Sequence, residues 1–237
     1  MERADYREVI YDEERWRLLR EKRRTAKTIM ETLIRCGFTQ LVVHGSIARG
    51  DVEPDSDIDV ALLAPTSIGL VELCLERGGF SIHSMVLVQP TPIHTPKVYI
   101  YLDPFEEKVV TVPLVELKPI EKEFYRFSGC LTYEDLVKDV RVPGVNKRLV
   151  LIEPTPRGHI EIPVIGNEGF VARRLGVSIE VVRDRVEALT RRREEGHTGL
   201  FIEIEIPPGR TIEEVVEELC RENKLFRQAV ARYGLCL

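Results

Sequence analysis

Two aspartates one residue apart, Asp57 and Asp59 in "SDIDVALL", are the residue types and spacing in this chain that most directly suggest chemistry. Side chains alternate along a strand, so both carboxylates leave one face while Ile58 and Val60 enter the core. Carboxylates that close repel each other unless a cation lies between them. Oxygen-only ligands suit hard ions, Mg2+ or Mn2+, which keep waters and accept substrate phosphates. Upstream, Gly45-Ser46 opens a turn or helix and offers backbone N–H groups and a hydroxyl to an anion. A metal pair beside a phosphate cradle is the equipment for phosphoryl or nucleotidyl transfer.

These residues need a scaffold, and the surrounding pattern supplies one. Residues 11–35 space their apolar side chains helically from Trp16 to Ile34, with Gly37 as a cap. The opposite face carries Arg20, Lys22, Arg23, Arg24 and Lys27 and reads as solvated. "QLVVH" predicts a buried strand, 45–56 a polar arc and "DIDVALL" a second strand. A helix is expected over 67–77. Beyond it, "FSIHSMVLVQ" reads as a strand, and "KVYIYL" with "KVVTVPLVEL" as a hairpin tipped by Asp103-Pro104. Residues 120–140 read as helical, and Pro143-Gly144 punctuates the chain before "KRLVLIEPTPRGHIEIPVI" begins a new unit.

"HGSIARGDVEPDSDIDVALL" resembles the signature of the DNA polymerase β-like nucleotidyltransferase superfamily, a Gly-Ser followed by Asp-x-Asp on a strand. Its spelling is most similar to that of minimal nucleotidyltransferases. The resemblance implies a small mixed sheet with flanking helices in which Gly45 and Ser46 hold a nucleoside triphosphate. It also implies that Asp57 and Asp59 are catalytic and ligate divalent ions, and that Arg49 contacts phosphate. Arg49 has a second reading, as an ion-pair partner of Asp51 or Glu53. The superfamily adds a third carboxylate on a later strand, and here the sequence departs from it. No acid stands in register in "SIHSMVLV" or "KVVTVPL", and Thr111 occupies about the expected place. Asp103 and Glu116 are the nearest candidates for that third catalytic acid. Asp103, beside Pro104, also suits a turn former, and Glu116 a solvent-facing strand residue.

Residues 167–195, "NEGFVARRLGVSIEVVRDRVEALTRRREE", read as helix, tight turn and longer helix. Ser178 is a good N-cap for the second helix, and Val171, Ala172 and Leu175 can pack on Val181, Val182, Val186 and Leu189. "TGLFIEIEI" is an alternating strand that could form a wing, and 211–232 a closing helical segment. The helix pair is similar to DNA-reading helices, with Arg173, Arg174, Arg183, Arg185 and Arg191 to Arg193 available to phosphates or base edges. Such units also serve as packing modules. Taken together, the halves resemble an archaeal-type family of predicted nucleotidyltransferases with a C-terminal helix-turn-helix. The expected organisation is α+β: a nucleotidyltransferase domain over 1–120, a helical connection over 121–145 and a winged-helix-like domain over 146–237.

Bulk properties narrow the classes. The 237 residues carry a net charge of -5 and a pI of about 5.7, so any nucleic-acid site must be local. No apolar run approaches the roughly 20 residues that cross a bilayer, and "MERADYREVIYDEERW" has no signal-peptide core, which predicts a cytoplasmic protein. Five dispersed cysteines without a C-x-x-C pair read as reduced thiols, not as a disulfide framework or zinc site. Scarce amides and 31% charged residues resemble a thermophile's composition. The main expectation is Mg2+- or Mn2+-dependent transfer of NMP from an NTP to a hydroxyl acceptor, with pyrophosphate released and DNA or RNA as a further partner of the C-terminal domain. The alternatives are a non-catalytic, nucleotide-sensing DNA-binding regulator and, ranked lower, the transferase partner of a toxin–antitoxin pair.

Overall fold

The computed structural model describes residues 6–195 and 199–236, without the side chains of 192–195 and 232. The side chains of Arg192 and Arg193 thus lie outside the described residues. In chain order, β1 (Arg7–Ile10) precedes the long helix α1 (Glu13–Arg35), β2 (Leu41–His44), the single-turn helix α2 (Ser46–Arg49) and β3 (Ile58–Leu62). Next come α3 (Ile68–Arg77), β4 (Ser84–Gln89), β5 (Lys97–Tyr101) and β6 (Lys108–Pro113). They are followed by α4 (Pro119–Ser128), β7 (Cys130–Leu131), α5 (Tyr133–Val137), β8 (Gly144–Val145), β9 (Val150–Thr155) and β10 (Gly158–Pro163). Last are α6 (Glu168–Leu175), α7 (Ile179–Glu195), β11 (Ile202–Glu205), α8 (Ile212–Glu222) and α9 (Lys224–Val230). The fold is mixed α+β. None of the described helices is long and apolar enough to cross a membrane.

Contacts divide the chain into two compact units, one of residues 1–31, 41–60 and 119–198, the other of 32–40, 61–118 and 199–237. Each is assembled from non-consecutive segments, whereas the sequence reading placed consecutive domains at 1–120 and 146–237. The chain passes between the units inside α1 and inside β3.

In the first unit, β10 pairs antiparallel with both β1 and β9, and β8 with β9. Gly158 makes the β1 pairing possible, because a Cβ there would lie 2.0 Å from Val9 O. Two helices joined by a tight turn form where the sequence placed them: Gly176 ends α6 in the left-handed region at φ 63, where glycine carries no side-chain penalty. Their apolar faces join Phe127 of α4 and Val145, Leu149 and Leu151 around β8 and β9 in one buried cluster. In the same unit β2 lies between β3 and β7. The expected helix over 120–140 is broken at Gly129 (φ 78), which lets Cys130 and Leu131 pair with His44 and Val43 as β7.

In the second unit, β4, β5 and β6 form an antiparallel meander. The strand expected as a wing, β11, belongs to this unit. It pairs antiparallel with β4, Ile202 opposite Gln89 and Glu205 opposite Val86. Its alternating pattern suits any half-buried strand and says nothing about the partner. The closing segment breaks at Asn223, whose side chain accepts from Phe226 N at 3.0 Å and caps α9.

The cysteines correct the reduced-thiol reading. Cys36, just past α1, is disulfide-bonded to Cys74 of α3 across a Cα–Cα distance of 6.2 Å, and Cys220 to Cys236 across 5.6 Å, leaving Cys130 free. Spacing could not show this, because Cys36 and Cys74 are 38 residues apart and meet only where the end of α3 lies against the last turn of α1. Closing a loop of that length removes about 4 kcal/mol of unfolded-chain entropy in the simplest account. Cys36→Ser/Cys74→Ser is therefore expected to lower the urea midpoint by an amount worth about 2–4 kcal/mol, and a reductant should then change the double variant much less than the parent.

Candidate active site

The site is built on a loop that turns back within a few residues of β2. Gly45 adopts φ 76 and ψ -144, a conformation that side-chain-bearing residues rarely take. A Cβ at Gly45 would stand 4.0 Å from Asp59 Oδ2, so the bare glycine faces Asp59 directly. The Gly45 carbonyl accepts from Ala48 N and Arg49 N at 3.1 Å, which winds α2, and Gly50 closes it at φ 97. The Gly45 N–H itself donates to Gly129 O at 2.9 Å. The anion-facing donors expected from Gly45-Ser46 thus reduce to the amides that follow Gly45 and the partly exposed Ser46 hydroxyl.

The loop's carbonyls are held by buried cations of α1, which the sequence had assigned to a solvated face. Arg23 donates to Ile47 O at 3.1 and 3.0 Å, to Ala48 O at 3.3 Å and to Val140 O at 2.8 Å. Burial lowers its pKa to about 10, so it remains charged at neutral pH. Lys22 Nζ donates to Ser56 O at 2.6 Å and Arg15 Nε to Val52 O at 3.1 Å. Arg15 also lies over the Tyr11 ring, whose hydroxyl is hydrogen-bonded to His159 Nδ1 of β10 at 2.6 Å. The signal available in the sequence was that Arg23 and Lys22 fall beside the apolar stripe containing Leu19, Ala26 and Ile29.

Arg49 corrects the phosphate-contact expectation. It is 4% exposed and belongs to the floor of the loop. Its guanidinium donates to Asp51 Oδ2 at 3.0 Å and to Ser128 O at 2.7 Å, with Nε 3.0 Å from Asp51 Oδ1. Its stem packs where a Cβ on Gly129 would stand 2.8 Å away. Of the two readings, the pairing with Asp51 is the one realised.

Asp57 and Asp59 flank Ile58 as the strand pattern requires, with Ile58 and Val60 buried. The Asp59 carboxyl is pushed up to about 6, first by burial and then by the neighbouring Asp57 charge, against the opposing pull of Lys147. Lys147 Nζ stands 3.5 Å from Asp57 Oδ2. Two acidic oxygen donors, one of them desolvated and discouraged from ionising by the other, fit a hard divalent ion whose remaining ligands are water and phosphate. Among the described residues, no group of three or more His, Cys, Asp or Glu side chains gathers at a metal-binding spacing.

The remaining candidates go elsewhere. Asp103 sits in the β5–β6 turn, where its carboxylate accepts from the backbone N–H of Phe105, Glu107 and Lys108 at 3.0, 3.3 and 2.9 Å. Burial alone would raise its pKa; those hydrogen bonds and the Lys108 charge outweigh it and hold the carboxyl below its ordinary value. It is a turn former, not an available third acid. On α6, Arg174 pairs with Glu153 at 2.6 Å, and on α7 Arg185 lies over the Phe124 ring at 4.8 Å. Arg173 and Arg183 are exposed. The Ser178 hydroxyl and N–H, at the start of α7, both donate to Glu123 of α4, at 2.6 and 2.7 Å. That end of α7 is thus packed and paired.

Residues 23–139 match the nucleotidyltransferase domain family. The matched stretch begins at the clasp residue Arg23 and includes Gly45, Ser46, Asp57 and Asp59. The matched stretch ends before α6. No curated protein matches the chain. One solved structure, of a GLD-2/RNP-8 complex, aligns at 17% identity and a TM-score of 0.31, over 50% of this chain and 46% of that one. The chain thus spans about half that protein's length.

Two outcomes are expected. Arg49→Ala leaves Asp51 buried without its counter-charge and should destabilise the protein by about 3–5 kcal/mol in urea unfolding. For Asp59, the native state keeps its proton while the unfolded chain loses it as pH rises from 3.8 through about 6. Stability in a metal chelator should therefore fall with pH across that window and level off above it. Asp59→Asn, followed by thermal melts over the same range, should flatten this slope.

Proposed function

We propose that this chain is a metal-dependent nucleotidyltransferase that moves NMP from an NTP to a hydroxyl acceptor and releases pyrophosphate. The observation that carries the reading is Asp59, coupled to the neighbouring Asp57 charge, facing the bare Cα of Gly45 with its Oδ2 4.0 Å from where a Cβ would stand. The family match over 23–139 supports it.

In this reading Asp57 and Asp59 hold Mg2+ or Mn2+, which when bound supplies the positive charge that a triphosphate and a departing pyrophosphate require. The chain's own part is orientation. Gly45 lets the phosphates approach the backbone, and the Ser46 hydroxyl donates to a phosphate oxygen. The clasp of Arg23 and Arg49 keeps α2 fixed while charge shifts in front of it, so little reorganisation accompanies transfer. The acceptor oxygen forms a bond to the α-phosphorus as the bond to the β-phosphate oxygen breaks. The acceptor's proton leaves to solvent or to a carboxylate.

A second reading, nucleotide sensing without turnover, is favoured by one observation: Asp103, the sequence's candidate third acid, is committed to its turn. A single assay separates the two. With α-labelled NTP and Mg2+, label transfer should be measurable for the wild type and fall to background for Asp57→Asn and Asp59→Asn. Ser46→Ala should weaken NTP binding roughly tenfold, the worth of one hydrogen bond to a charged group. NTP binding that depends on the aspartates but gives no transfer to any acceptor would establish the sensing reading instead.

A further inference from the structure

The turn between β8 and β9 places a charge at the aspartate pair that the proposed mechanism does not use. Asn146 makes this turn rigid. Its side-chain Oδ1 accepts from Arg148 N at 2.9 Å and Val150 N at 3.1 Å, and its N–H donates to Val150 O at 3.0 Å. Leu149 takes φ 59 and returns its N–H to Asn146 O at 3.1 Å. Arg148 anchors the turn from outside, 4.0 Å from Glu53 and 3.7 Å from Glu161. Between these fixed neighbours Lys147 has a side chain 89% exposed, yet its Nζ reaches to 3.5 Å from Asp57 Oδ2.

We propose that Lys147 is a built-in competitor for the divalent ion, its ammonium and the ion contending for the same Asp57 oxygen. The inference rests on the reading of Asp57 and Asp59 as ion ligands. An ammonium at 3.5 Å from a carboxylate oxygen and a dication on that oxygen repel each other, so ion entry requires Lys147 to swing away. The side chain can do so without disturbing the turn, because Asn146 and Arg148 hold the backbone on either side. The competition is weak by construction. An exposed ion pair is worth about 1 kcal/mol or less, which limits the handicap on ion affinity to about fivefold. Such a device keeps Asp57 neutralised at low ion concentration and raises the concentration at which the pair fills.

Calorimetric titration of the full chain with Mn2+ alone, at neutral pH and low salt, tests this. Lys147→Gln should bind Mn2+ about twofold to fivefold more tightly than the wild type, Lys147→Arg should match the wild type, and the gap should close as KCl is raised. Thermal melts should superimpose for all three proteins, since the side chain is exposed. Equal or weaker binding by Lys147→Gln, with the heat still abolished by Asp57→Asn, would overturn the competition and leave the ion site standing. A gain shared by Lys147→Arg would also overturn it, because charge would not be the cause. Absence of Mn2+ heat from every protein, Lys147→Gln included, would remove the ion-ligand reading and this inference with it.

Discussion

A helix of one turn cannot satisfy its own ends, and α2 is such a helix. Its carbonyls would face the interior unpaired if nothing else reached them, at a cost of about 1–3 kcal/mol each. Arg23 meets the Ile47 and Ala48 carbonyls from one side, Val142 N donates to Ala48 O, and Arg49 carries the end of the helix onto Ser128. Burying a guanidinium is itself costly, and the arrangement persists because each one is given several oxygens at once. The rest of the unit follows from this constraint. α1 must pass behind the loop, Gly129 must be bare where Arg49 crosses it, and residues 128–145 must return to the same place.

Rigidity behind the loop is what allows tension in front of it. Asp57 immediately precedes β3 and Asp59 lies within it, and Asp59 resists ionisation through burial and its neighbour's charge. A flexible loop would relax by turning one carboxylate into solvent. Here β3 fixes their directions through buried Ile58 and Val60, while Lys22 holds the approach to the strand at Ser56. Electrostatic frustration of this kind is characteristic of positions prepared for a charged ligand.

The parts of this architecture visible in the sequence are those whose cause is local. Alternation predicted which side chains of β3 enter the core, and helical spacing with a glycine stop predicted α6 and α7. What escaped depends on partners distant along the chain. The strand 202–205 alternates in the way a wing would, but nothing within it names β4 as its neighbour. Lys22 and Arg23 look like surface residues because charge is normally solvated; only the presence of unpaired carbonyls explains their burial. Arg49 was legible as either of two things, and the deciding fact, the Ser128 carbonyl, lies on another helix. The four residues of β1 are mostly exposed and carry no periodic signal long enough to read.

That short strand has a consequence for how the protein is made. Residues 7–10 find their partners only at 158–161, so on a ribosome the first strand emerges long before the hairpin it completes. At usual elongation rates of about 5–20 residues per second, the interval is roughly ten to thirty seconds. For that time the nascent chain carries an open strand edge and the aromatic pair Tyr11 and Trp16 without His159 or Arg141 to cover them. The contacts behind the loop thus join residues 7–16 to residues 141–161, across a long stretch of intervening chain.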